Sequence, residues 1–264
     1  MADEQSDVLT PATLPIGGAW MIDLEYFLQV KSQTIEALAE PMTVTVTNHR
    51  TRRQGKVRRL QYRGVMYGYD SDRLVRQLQE AYADPSAGGI LLEIETPGGE
   101  LFAAQKVRAA IQSRNKPVVI YAHYLLSGGV MSTMDADEIV ASGRSSLFGS
   151  VGVMNTLAKW YRKPYNESYT ELYADTSQDK NADWRAWLAN ASTELYKARL
   201  NEFDKIFMED LKRARSLARS LQSSTLAGGT WLAEDAIRRG LCDSIGDYNF
   251  AYQRVAMAAP NYSA

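Results

Sequence analysis

Gly89-Ile90-Leu91-Leu92-Glu93-Ile94-Glu95, followed at once by Thr96-Pro97-Gly98-Gly99, is the stretch on which the fold turns. A short apolar run bounded by glycine and by a Pro-Gly-Gly turn reads as a buried strand. The pattern after it, from about Ala103 to Ser113, is helical. The same rhythm extends in both directions. Leu60 to Gly68 is strand-like, and Ser71 to Ala83 carries Leu74, Leu78 and Ala81 on one helical face before Asp84-Pro85-Ser86 ends it. Downstream, Pro117 to Ala122 is another apolar strand and Ser127 opens a helix. Ile139 to Ala141 and Gly152 to Met154 read as further short strands. Strand–loop–helix alternation with apolar strands predicts an α/β fold, a largely parallel sheet covered by helices.

The flanks read differently. Residues 1–15 look like a flexible leader punctuated by Pro11 and Pro15. From about 19 to 40, Trp20, Leu24, Phe27, Leu28, Ile35 and Leu38 recur at helical steps. Met42 to Thr47 alternates with period two, as a strand does. The basic cluster from Arg50 to Arg59 reads as a solvated hairpin with Gln54-Gly55 at its turn, because no aromatic residues interleave the charges as a nucleic-acid stacking platform requires. Asn181 to Gln222 has apolar residues at helical spacing and few breakers, predicting one or two long amphipathic helices. Thr230 to Gly240 reads as a helix ended by Gly240, with Leu241 to Gly246 as the turn after it.

Composition narrows the function. The 264 residues are 45% hydrophobic and 23% charged with a net charge of −1, which gives no global attraction to nucleic acid or to anionic membrane. The single cysteine, Cys242, cannot form an internal disulfide. Two histidines and one cysteine do not supply a usual zinc site, and Gly98-Gly99 is not followed by a phosphate-loop or dinucleotide pattern. No metal or cofactor is expected. The start, Met1-Ala2-Asp3-Glu4-Gln5, is acidic where a secretory signal is basic. The apolar stretch from Ile16 to Val30 is broken by Asp23 and Glu25, so a soluble, cytoplasmic protein without a membrane span is expected.

Three segments carry chemistry: Thr96-Pro97-Gly98-Gly99, Ser127-Gly128-Gly129, and Gly149-Ser150-Val151-Gly152-Val153. The first lies between a strand and a helix, where outward-facing amides can stabilise an oxyanion. Ser127 stands at the end of a strand and the start of a helix. Most serines there are N-caps, but two glycines in the first helical turn make sense where backbone sits against a ligand. A serine hydroxyl needs a base to become a nucleophile. His123 would have to bend back to reach it, and His49 lies in the basic hairpin region. A lysine can serve once burial or a cationic neighbour disfavours its charged form. Lys180, Lys159 and Lys163 are the candidates, and their positions alone do not choose among them.

Taken together, the segments Gly89 to Gly99, Ala122 to Ala136, Ala141 to Val153 and Ala236 to Gly246 resemble the signal peptide peptidase A family of Ser–Lys serine peptidases. That resemblance implies a Clp-protease/crotonase-like fold of repeated ββα units with a helical C-terminal extension. It implies Ser127 as nucleophile, Lys180 as general base, and Gly98 and Gly99 as the oxyanion loop with Gly128 as a further donor. Ser150 then lines the cleft or orients the lysine. Asp179 and Asp183 must point away from Lys180, since neighbouring carboxylates favour the charged amine. The implied organisation is an N-terminal arm and helix over 1–50, a catalytic α/β core over 51–180, and a helical region over 181–264 that completes the core and makes oligomer contacts. Soluble phage and prophage relatives that mature capsid proteins resemble this family too. The expected partners are therefore a peptide or protein substrate, other copies of the chain in a homo-oligomer, and capsid proteins.

Two other readings use the same residues. A crotonase-type acyl-CoA enzyme would use the loop amides with Glu95 and Glu100 as acid and base. An inactive homologue would serve as an assembly or scaffold component, associating through the helices from Asn181 onward.

Overall fold

Alternation of side chains along each strand, with both faces apolar, forces a layer of helices onto either side of the sheet. The computed structural model describes residues 46–47, 54–159, 167–258 and 262. In chain order it contains β1 (Val46–Thr47), β2 (Gln54–Arg63), α1 (Gly68–Ala83), β3 (Ala87–Glu95), α2 (Leu101–Gln112), β4 (Val118–Ala122), β5 (Tyr124–Leu126) and α3 (Gly128–Thr133). There follow β6 (Glu138–Ala141), β7 (Leu147–Gly149), α4 (Ala182–Asn190), α5 (Glu194–Ala214), α6 (Gln222–Thr225), β8 (Thr230–Leu232), α7 (Ala233–Arg239), β9 (Ser244–Ile245) and α8 (Tyr248–Ala258).

The main sheet has six strands in the order β1-β2-β3-β4-β6-β9. Only the β1–β2 pair is antiparallel; every other neighbour is parallel. Leu60, Leu92, Ile120 and Ile139 stand in register across four strands. They belong to the larger core, which α1, α2, α3, α5 and α7 cover with Leu78, Val107, Val130, Phe207 and Ala236 among others. The alternate residues Leu91, Val119 and Val140 face the other way and pack under Ala251, Tyr252 and Val255 of α8. Each fully buried side chain of this size contributes about 1.5–3 kcal/mol. Residues from the last third of the chain thus complete the same core that the β/α units begin.

A second, three-stranded sheet β5-β7-β8 stands at the carboxyl end of the first. β5 and β7 are parallel and β7 and β8 antiparallel, with Phe148 opposite Trp231. This small sheet holds the glycine loop and Ser127 together, as described below.

The structure corrects four local expectations. The strand expected at Gly152 to Met154 is displaced to Leu147–Gly149. Ser150 and Gly152 both have positive φ (53° and 155°), which breaks a ladder, so the chain leaves the sheet at Ser150. Thr230–Leu232 is a strand rather than the first turn of a helix, and the helix begins at Ala233. Gly240 does end that helix, at a φ of 84°. Gln54 and Gly55 are not the hairpin turn; they pair with Thr47 and Val46. Finally, the turn from Leu241 to Gly246 contains the short strand β9, docked on β6. The helix expected over 19 to 40, the leader, and residues 50–53 of the basic hairpin lie outside the described residues. Among the described residues no helix is long and apolar enough to cross a membrane.

Candidate active site

Thr96 leaves the end of β3 fully buried and is bridged to Leu125: its N–H donates to the Tyr124 carbonyl (3.2 Å) and its carbonyl accepts from Leu126 N–H (3.0 Å). The next residues turn over Ser127. Gly98 has a φ of 102° and Gly99 one of 156°, conformations that glycine reaches without steric cost. Space is as restrictive as torsion here. A Cβ on Gly98 would stand 2.8 Å from both the Gly128 nitrogen and Ser127 Cβ, and one on Gly99 would stand 2.3 Å from the Met66 carbonyl oxygen. The glycine loop is therefore pressed between Met66 and the turn that carries Ser127.

The amides of this loop are not equivalent. Gly98 N–H donates to Thr96 Oγ1 (3.0 Å), and the Gly98 carbonyl accepts from Met66 N–H (2.8 Å). Glu100 N–H donates to the Met66 carbonyl (2.8 Å). In a parallel bridge of this kind the residue between, Gly99, turns its own N–H away from Met66. The Gly99 nitrogen lies near Gly128, where an added Cβ would stand 3.3 Å from it. Gly128 opens α3, so its N–H is one of the helix's unpaired first-turn donors. Among the described residues neither amide donates to a protein acceptor. Two N–H groups without protein acceptors beside a serine, at a helix start, suit a developing negative charge.

Ser127 has φ 50° and ψ −115°, a strained conformation for a residue with a side chain, and it sits between a strand and a helix. It occupies the N-cap position of α3, yet its side chain makes no capping hydrogen bond. Its N–H donates to the Gly149 carbonyl (2.8 Å). Gly149 is the last residue of β7, and Ser150, half-buried, follows with its N–H on the Gly229 carbonyl (2.7 Å). Ser127, Gly98, Gly99, Gly128 and Ser150 are thus brought to one place.

Lys180 is not joined to them. It lies exposed in the turn before α4, and its side chain forms no hydrogen bond or ion pair with a described residue. Asp183, three residues on, is buried and paired with Arg199 (2.7 Å), so its charge is already met. Lys159 is also exposed, and Lys163 and His49 lie outside the described residues. His123 hydrogen-bonds Ser142 through Nδ1 (2.5 Å), with Nε2 3.6 Å from Glu95. Glu95 also lies 3.7 Å from Arg63, and Glu100 accepts the Gly68 N–H (3.1 Å) at the start of α1. Both carboxylates flanking the loop are therefore occupied in structural contacts. Among the described residues no group of histidine, cysteine and carboxylates could hold a metal ion.

Sequence reasoning missed the division of labour within the loop: the hydroxyl two residues before Gly98 takes its amide, which no spacing rule shows. It also missed that α5 packs against the helix that follows the glycine loop. Phe203 of α5 meets Phe102, three residues after Gly99, edge-to-face at 6.1 Å.

The chain is similar to known proteins in sequence and in fold. Protease 4 of Haemophilus influenzae is 26% identical over 187 residues, covering 69% of this chain and 30% of its own length. The serine protease SPPA, chloroplastic, of Arabidopsis thaliana is 26% identical over 182 residues, covering 67% of this chain and 27% of its own. The chain spans about 30% of these relatives' length. Among solved structures, a mutant of the 1510-N membrane-bound stomatin-specific protease matches with a TM-score of 0.50 at 16% identity, over 74% of this chain and 80% of that one. A ClpP1 mutant from Listeria monocytogenes matches with a TM-score of 0.50 at 10% identity, over 74% and 94%. These likenesses show the Clp-like fold. The model of peptidase family S49 matches residues 110–260, more than half of the chain and including Ser127, its two glycines and Ser150. The chain belongs to peptidase family S49.

Proposed function

We propose that the chain is a serine endopeptidase working through a Ser–Lys dyad. Ser127 Oγ attacks the scissile carbonyl, forming a tetrahedral intermediate whose oxyanion is held by the amides of Gly99 and Gly128. Gly98 contributes by the close approach of its backbone, and Ser150 shapes the cleft behind the serine. Lys180 takes the Ser127 proton and returns it to the leaving amine. A lysine acts as a base only when desolvated, so the exposed segment carrying Lys180 must fold over Ser127 once substrate or a neighbouring copy of the chain covers the cleft. The observation that carries the reading is Ser127 itself: strained, uncapped, and close to two amides without protein acceptors.

Hydrolysis of unfolded protein by wild type, Ser127→Ala and Lys180→Ala is the test, with fluorophosphonate labelling mapped to Ser127. Loss of turnover in both variants with the fold intact is expected. Turnover surviving Ser127→Ala overturns the mechanism, and turnover surviving Lys180→Ala moves the base elsewhere. The acyl-CoA reading is disfavoured by the occupied contacts of Glu95 and Glu100. The resemblance to soluble phage and prophage relatives supports a narrower form, in which a homo-oligomer in the cytoplasm matures capsid proteins. Co-expression with such proteins, read by mass spectrometry of their cut termini, tests it.

A further inference from the structure

One hydroxyl holds the peptide units on both sides of Gly98. Thr96, just beyond β3, is completely buried. Its Oγ1 accepts the Gly98 N–H (3.0 Å) and donates to the Gly98 carbonyl (3.3 Å). Pro97, between them, has no N–H to compete for it. The Met66 N–H takes the other lone pair of the same carbonyl (2.8 Å). Gly98 has many torsions open to it, so these bonds are what select its φ of 102°.

The consequence falls on the next amide. The Gly98 carbonyl and the Gly99 N–H belong to one peptide unit, and no peptide bond here is cis. In a trans unit these two groups point in opposite directions. Fixing the carbonyl toward Met66 and Thr96 therefore fixes the Gly99 N–H on the other side, where it meets no protein acceptor among the described residues. The Thr96 methyl makes a second tie. A Cβ on Gly129 would stand 2.5 Å from it, so it lies against the helical turn that also carries the Gly128 amide. Threonine is stiff at χ1, so the seat of the methyl and the aim of the hydroxyl are set together.

We propose that Thr96 is a positioning residue of the peptidase, its hydroxyl aiming the Gly99 N–H and its methyl setting that donor against the Gly128 N–H. The inference rests on the serine-peptidase reading, in which these two amides hold the oxyanion. Thr96→Val keeps the shape and removes the hydroxyl; Thr96→Ser keeps the hydroxyl. The test is steady-state kinetics joined to inhibition by a peptide aldehyde, whose carbonyl adds the Ser127 oxygen and places its own oxygen where the oxyanion forms. Thr96→Val is expected to lower kcat at least about tenfold, to leave KM within about twofold, and to weaken the aldehyde in step with kcat. Thr96→Ser is expected to stay within about threefold of wild type in both. Where Thr96→Val does not fold, Thr96→Cys, with a thiol that bonds weakly, takes its place against Thr96→Ser with the same expectations. A hydroxyl that only supports the fold would lower the melting temperature and leave kcat and the aldehyde unchanged below it, which overturns the proposal. A defect in Thr96→Ser as deep as that of the variant lacking the hydroxyl overturns it too. Failure of the peptidase reading shows itself separately, as hydrolysis and aldehyde inhibition indifferent to Ser127→Ala.

Discussion

Ser127 carries two burdens that pull against each other. A side-chain-bearing residue at φ 50° and ψ −115° stores about 1–3 kcal/mol, and glycine would adopt that conformation freely while costing about 0.4–1 kcal/mol through the unfolded chain. Ser127→Gly is therefore expected to raise stability by about 1 kcal/mol while abolishing turnover, which a urea titration beside an activity assay would read. The opposite holds at Gly98. An added Cβ 2.8 Å from Ser127 Cβ and the Gly128 nitrogen must push the glycine loop away, so on the proposed mechanism Gly98→Ala is expected to lower kcat/KM at least about 100-fold and stability by about 2 kcal/mol. Cys242 gives a pH signature. Burial first, and the Asp243 charge second, push its thiol from 9.0 up to about 12. The folded chain keeps that proton while the unfolded chain releases it. This contribution to stability is therefore full below pH 9 and is lost as pH rises toward 12. Urea midpoints between pH 8 and 11 should fall more steeply for wild type than for Cys242→Ala.

At the scale of elements, α5 is held by charge as well as by packing. Arg108 of α2 bridges Asp210 of α5 and Asp135 beyond α3, the latter at 2.6 Å, with all three side chains largely shielded. Removing the guanidinium leaves two half-buried carboxylates facing each other. Arg108→Met is expected to cost on the order of 2 kcal/mol and to loosen α5 against α2, which a thermal melt would read. Elements of this kind mark the limit of what the amino-acid order reveals. The runs Ala87–Glu95 and Val118–Ala122 were legible because a strand buried on both faces must be apolar throughout. β7 and β8 were not, being three residues each with no period to read. Their existence depends on pairing between Phe148 and Trp231, which are distant in sequence. Ser127 and its glycines were visible as a motif, whereas the engagement of the Gly98 amide by Thr96 is a product of local folding that no spacing shows.

At the scale of the whole molecule, Ser127 depends on residues made long after it. The Gly149 carbonyl fixes Ser127, and a Cβ on Gly149 would stand 2.5 Å from the Gly229 carbonyl and 2.8 Å from the Trp231 ring. The serine's posture is thus clamped by a strand about a hundred positions downstream. A chain still emerging from the ribosome has no such clamp. Ribosome-stalled chains that stop short of Gly229 are expected to resist fluorophosphonate, and those extending past Ala258 to accept it. On the proposed mechanism, synthesis itself becomes the safety catch: the chain would not cut its neighbours on the polysome, because its blade is not set until the last of the core has been translated.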